Sequence, residues 1–347
     1  MNWKPNFLIT ILAFITCSST AQILDLSEHT DEWLLYKNGY LILTDSIDST
    51  WFKGNPKCLD NNNPQDVWCE VNLKYIPTKY QQFLGQELEL ITRGNTNHII
   101  KIKRLIIYGS TSPSDAVAQE WYPNFGNENE SEKSSHTPEE TAQFFFELAN
   151  KSNGLYLVAE FDENINTHND GIGYAFRRLQ EKNVKLLDEI FPNTSKIKET
   201  QTNIFSNFKK YLGPALQKKY LQERDCYGKK SYYWWDHPDI EKEWHFFANT
   251  SGNLFISLKI ALVDGCTCQT LSITSIWELK TEGPKLVWKT QDRIKVVDVL
   301  NYQKDNSYQF IIEAETPNDG PDLRKLIKKE KWIEEVIFDI PFLGCGC

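Results

Sequence analysis

Between Trp33 and Ser46 the chain reads WLLYKNGYLILTDS, two apolar, β-prone runs on either side of Asn38-Gly39. That stretch constrains the fold more than any other. A two-residue turn with positive φ at its centre is cheap for Asn-Gly and costly for most pairs, and its twist matches the strands that it joins. The segment therefore predicts a β-hairpin, and with it an antiparallel sheet. Similar runs follow as VWCEVNLKYI, ELELITRG and HIIKIKRLIIYG. Residues 22–135 are read on this basis as an antiparallel β-rich region ending in a polar, turn-rich loop from Ser112 to His136.

Residues 136–228 have a different texture. Thr137-Pro138-Glu139-Glu140 combines an N-cap threonine, a proline at the first helical position and a glutamate that closes a capping box. A helix is predicted from there to near Gly154, then a strand over LYLVAEF. Apolar residues at three-and-four spacing predict further helices over Tyr174–Ile190 and Thr202–Glu223, with Pro192 and Pro214 as breaks. From 229 to 347 the β-prone runs return. Two of them echo each other, ELKTEGPKLVWKT and RKLIKKEKWIEEVIF, each a strand, a short charged turn and a Trp-bearing strand. The expected fold is α+β: an antiparallel β N-terminal region, a helical middle and an antiparallel β-meander.

The first residues, MNWKPNFLITILAFITCSSTAQ, carry one lysine, an apolar run from Phe7 to Ile15 and then small polar residues. This is the layout of a secretory signal peptide over 1–21, and the run is too short to span a bilayer. Small residues before Gln22 suit cleavage there. The alternative is a lipid anchor through Cys17, which Thr16 directly before it suits poorly. The mature chain is expected to be secreted or periplasmic, with no transmembrane segment. A net charge of −9 without a basic stripe excludes the class of proteins that grip a phosphate backbone.

Of the eight cysteines, removal of the signal would leave seven, and export sets their redox context. Cys58 and Cys69 flank the turn-rich LDNNNPQDVW, so a local disulfide is expected, worth ~3 kcal/mol by loop closure. Cys266 with Cys268 and Cys345 with Cys347 form two Cys-x-Cys pairs. Each pair on an extended segment puts both sulfurs on one side, where four thiolates could hold zinc or copper(I), or disulfides could rivet the chain's end to the sheet. The oxidising compartment favours the staple, and Cys226 is left over.

Chemistry has few other footholds. There is no Gly-x-Ser-x-Gly elbow, His-Glu-x-x-His helix, phosphate loop or Cys-x-x-Cys, and no cofactor is expected. Asp162, Asn164, Asn166 and Asp170 fall at calcium-loop positions, but the turn glycine and the final bidentate glutamate are missing. His237, Glu241 and His245 would share one face of a helix and offer two imidazoles and a carboxylate to a metal. Tyr232, Tyr233, Trp234 and Trp235 form an aromatic run of the kind that sugar- or partner-binding surfaces use. Two functions follow as expectations. One is a non-catalytic binding protein of the cell envelope, contacting an unknown protein or carbohydrate through aromatics. The other is a secreted hydrolase of an extracellular polymer, working through carboxylates or the His/Glu set.

Overall fold

A computed structural model describes residues 33–37, 39–52, 57–60, 66–93, 96–110, 155–162, 172–177, 183–190, 195–222, 240–248, 254–262, 271–305, 307–316, 320–328 and 330–338. The Asn-Gly hairpin is present. Strands β1 (Leu34–Lys37) and β2 (Tyr40–Thr44) pair with Lys37 opposite Tyr40, and Gly39 turns with φ of 93°. A side chain at that φ would strain the backbone, which is why glycine stands there.

The hairpin belongs to a closed six-stranded barrel. Its other members are β5 (Glu87–Thr92), β6 (Thr96–Ser110), β7 (Leu155–Phe161) and β8 (Ile172–Phe176). Around the ring the order is β6-β5-β8-β1-β2-β7, and β7 pairs back onto β6. The far end of the long β6 carries one more hairpin, β3 (Lys57–Asp60) and β4 (Asp66–Glu70). At Gly173 of β8 a Cβ would lie 2.8 Å from the Ile91 carbonyl oxygen, so glycine is what lets β5 close up to β8 there.

Side chains alternate across a strand, so each barrel strand sorts its residues inward and outward. Leu34, Tyr36, Leu88, Leu90 and Ala175 point inward, where Trp51, Ile76, Tyr80 and Phe83 join them. Leu35, Ile42, Tyr174 and Phe176 point outward. That outer face is not left to water. It packs on Val184, Leu186, Leu300, Ile311 and Leu323, which belong to a separate sheet.

This second sheet has the order β18-β17-β16-β15-β9, with β9 Val184–Leu186, β15 Ile294–Tyr302, β16 Ser307–Thr316, β17 Gly320–Lys328 and β18 Trp332–Phe338. The third sheet runs β10-β11-β12-β13-β14, with β10 Asp188–Glu189, β11 Ile240–Ala248, β12 Leu254–Leu262, β13 Leu271–Lys280 and β14 Gly283–Thr290. The two sheets face each other over Phe247, Phe255, Ile276, Val299, Phe310 and Leu326, and β15 lies across β11, β12 and β13. One continuous extended run joins them at a corner. Leu187 N–H still donates to Val299 in one sheet, while Ile190 N–H donates to Phe246 in the other.

Helices cover the last open face. The segment Ser195–Tyr211 and its continuation Gly213–Gln222 set Ile204, Phe208, Leu212 and Leu216 against Phe246, Ile256, Leu258 and Trp277. The layers are therefore helices, sheet, sheet and barrel, with three hydrophobic interfaces between them and a fourth core inside the barrel.

The expected helical middle is overturned. Among the described residues 64% are in strands and 18% in helices. Tyr174–Ile190, expected as a helix, holds β8, β9 and β10. Val184 and Leu186 are buried around an exposed Lys185, a period of two that fits a strand against the barrel. Asn183, at φ 45°, makes the turn before it. The barrel also takes strands from both sides of residue 135. The Thr202–Glu223 helix is present, starting earlier at Ser195 and restarting at Gly213-Pro214. Both echo segments are hairpins, β13–β14 and β17–β18, and each provides the last strand of its sheet. The helix expected from Thr137, the Ser112–His136 loop and the signal region lie outside the described residues.

Candidate functional site

β11 reads IEKEWHFFA, and its alternation separates two environments. Trp244 and Phe246 turn to the helices. Glu243, His245 and Phe247 share the opposite face, toward the other sheet. At that face the sandwich core ends, and a charged cluster begins one residue pair beyond Phe247.

His245 sits between two carboxylates. Its Nδ1 is 2.7 Å from Oε1 of Glu189 on the neighbouring β10, and its Nε2 is 2.8 Å from Oε1 of Glu243. Each ring nitrogen thus faces one carboxylate oxygen. Lys259, directly opposite Glu243 in register, brings its Nζ to 3.6 Å from the other Glu243 oxygen. The His245 ring stacks on Phe247. Burial alone would push the Glu243 carboxyl up, but the His245 hydrogen bond and the charges of Lys259, His245 and Lys295 outweigh it and hold it below the ordinary value.

The sign of that shift gives a prediction. A carboxyl lowered on folding adds stability above its unfolded pKa, ~4.3 for glutamate, and the gain is lost as pH falls through the folded value. Urea midpoints are expected to fall on acidification below about pH 4.5. The Glu243→Gln variant should show a shallower fall over the same window. Parallel curves for the two proteins would refute the assignment.

A second charged group lies between the barrel and the sheet that packs on it. Asp298 of β15 is 4% exposed. Its Oδ1 accepts from Arg93 Nε at 3.2 Å and its Oδ2 from the Tyr174 hydroxyl at 2.7 Å. Arg93 also donates to the Val297 carbonyl. Burial raises the Asp298 carboxyl above its ordinary value despite Arg93 and Tyr174, and the charge of Glu189 adds to the rise. Burial likewise pushes the Tyr174 hydroxyl well up, so it remains a donor. Trp33 meets Tyr174 edge-on at 5.0 Å and donates to Gln309 at 2.8 Å, completing a polar seam in an otherwise apolar interface.

The residues singled out from sequence fare unevenly. Glu241 and His245 lie on strand β11, not on a helix. Four residues apart on a strand means about 13 Å along it, too far to share one ion. The physical reason is that β11 pairs along its whole length with β12 and leaves no helix to carry the spacing. Asp162 forms an ion pair with Lys103 at 3.0 Å, both exposed, so a cation already occupies its carboxylate. Asn164, Asn166, Asp170, His237 and Tyr232 to Trp235 fall outside the described residues. So do Cys226, Cys266, Cys268, Cys345 and Cys347. Among the described residues no group of three or more His, Cys, Asp or Glu is arranged to hold a metal ion.

Cys69 is disulfide-bonded and fully buried in the barrel core. The β3–β4 register places Cys58 directly opposite it. Non-reducing peptide mapping is expected to recover one peptide pair joined through Cys58 and Cys69, whereas Cys69 linked to any other cysteine would refute that connectivity.

Sequence reasoning missed Glu189, Lys259, Arg93, Asp298 and Tyr174. A period of two over Glu241, Glu243, His245 and Phe247 would have put Glu243 beside His245. The other residues come from strands remote in sequence and leave no local signal. The chain matches no protein-family model, no curated protein and no solved structure.

Proposed function

We propose that the chain is an exported, non-catalytic binding protein of the cell envelope, secreted or periplasmic, that holds a protein or carbohydrate partner through an aromatic-rich surface. The observation that supports this most is the state of His245. Both ring nitrogens are taken by carboxylates, and Glu243 is held below, not above, the ordinary range. A general acid needs a raised carboxyl, and a general base needs a free nitrogen or oxygen aimed at substrate. The cluster instead satisfies itself and ties β10, β11 and β12 together. Asp298, whose carboxyl is raised, has each oxygen engaged and lies 4% exposed between two layers, where no polymer chain reaches it.

Partly exposed aromatics support the same reading. Trp288 and Trp332 stand on β14 and β18, the outer strands of the two sheets, and are only partly buried against the sandwich core. Amphipathic rings half in water are the material of contact surfaces. No helix among the described residues is long and apolar enough to cross a membrane.

The test pairs binding with turnover. The purified full chain is titrated against envelope polysaccharides and their oligomers, and against solubilised envelope proteins, while released reducing ends are assayed in the same samples. Saturable binding without product release is expected. Product release that His245→Ala or Glu243→Gln abolishes would replace this reading with the hydrolase.

A further inference from the structure

The side of a guanidinium formed by Nε and Nη2 carries two parallel donors. Arg104 spends that fork on one carboxylate, with Nε and Nη2 donating to the two oxygens of Glu160. Arg93 spends it on Asp298 and the Val297 carbonyl. Arg177 does not spend it. Its Nε and Nη2 are both buried, and among the described residues neither has a hydrogen-bond partner.

Position makes this more than a stray side chain. Arg177 directly follows β8, in which Ala175 points into the barrel while Tyr174 and Phe176 point out. Alternation turns Arg177 inward. Its guanidinium lies 4.6 Å from the centre of the Phe83 ring, which is itself part of the barrel core. Phe83 belongs to the segment that closes this end of the barrel, through Gly85 N–H to the Ile102 carbonyl and Ile102 N–H to the Gln86 carbonyl. As a residue Arg177 is only partly buried, so the fork lies just beneath the surface.

A guanidinium is a permanent cation, and a buried cation without a counter-charge is costly. One face of this one is covered by an aromatic ring, which stabilises it without using its donors. The unused pair of N–H groups is parallel and spaced for the two oxygens of a single carboxylate. The barrel end is also where small ligands enter folds of this kind.

We propose that Arg177, backed by Phe83, forms a binding site for a small organic acid, with its carboxylate on the Nε/Nη2 fork at this end of the barrel. This site is separate from the partner surface proposed above and stands or falls without it.

The full chain is titrated by calorimetry with benzoate, hexanoate and decanoate. Benzamide, hexanamide and inorganic phosphate serve as comparisons. At least one carboxylate is expected to bind saturably at one site per chain, with its amide weaker by about ten- to hundred-fold, since a charge-assisted pair is replaced by a neutral one. Arg177→Lys keeps the charge but loses the fork, and is expected to weaken the carboxylate by at least about ten-fold. Equal binding of carboxylate and amide overturns the proposal. So does phosphate binding at the carboxylate's affinity, unchanged binding in Arg177→Lys, or no saturable binding of any acid. The carboxylate-to-amide ratio is read on the unmodified chain, so the result does not depend on the variant folding.

Discussion

Replacing Trp277 with alanine is expected to cost about 3–5 kcal/mol. Trp277 is 2% exposed and among the largest fully buried side chains. It lies in the layer where the helices meet β11, β12 and β13. Its indole N–H donates to Ser275 Oγ at 2.9 Å, so the ring is fixed at its polar edge as well as packed on its faces. Truncation would leave a cavity flanked by strand backbone on one side and helices on the other. The strands are held by pairing on both edges and cannot collapse inward, so the helices must move or the void remains. Urea unfolding followed by far-ultraviolet circular dichroism measures the effect. A loss under about 1 kcal/mol would mean that the helical layer contributes little to global stability.

The second large effect separates size from charge at Asp298. Asp298→Ala removes the acceptor of the Tyr174 hydroxyl, which is buried and then unsatisfied, at a cost of about 1–3 kcal/mol. Arg93 adds less, because its side chain is 32% exposed and can rehydrate. Asp298→Asn keeps an acceptor for Tyr174 and is expected to stay within about 1 kcal/mol of the parent. The pH dependence then tests the charge. A carboxyl raised on folding adds stability below its unfolded pKa, ~3.9 for aspartate, and that gain is lost as pH rises through the folded value. The asparagine variant lacks this loss. Its stability relative to the parent should therefore improve from pH 4 upward, read as the difference in thermal midpoints across a pH series. A constant difference would show that Asp298 does not titrate differently on folding.

Much of the β structure was legible because its signals are local. Asn38-Gly39 fixes a turn within four residues, and LYLVAEF coincides with β7, residue for residue. The paired Trp-bearing hairpins were readable from their turns alone. The helical middle misled because three-and-four spacing in a short apolar stretch also arises where strands are buried on both faces. Tyr174 and Phe176 point toward one layer and Ala175 toward the barrel core, so every position is apolar and the period disappears. The candidate site was legible only at His245. Its partners Glu189 and Lys259 arrive from other strands, and Asp298 meets Tyr174 across 124 positions of sequence. Arg177 carries no signal at all, since nothing in the sequence distinguishes an arginine with a carboxylate partner from one without.

The ring order of the barrel also dictates when it can form. β1 pairs with β8, and β2 with β7, so the first hairpin to leave the ribosome waits for residues up to Phe176 before its outer edges are satisfied. Its outward face then waits for β15, β16 and β17, which end at Lys328. A chain delivered N-terminus first therefore exposes unpaired strand edges, and then a greasy outer wall, for nearly its whole length of travel. Such contacts close late and slowly. The delay leaves completion of the stacked layers until β17, ending at Lys328, has emerged.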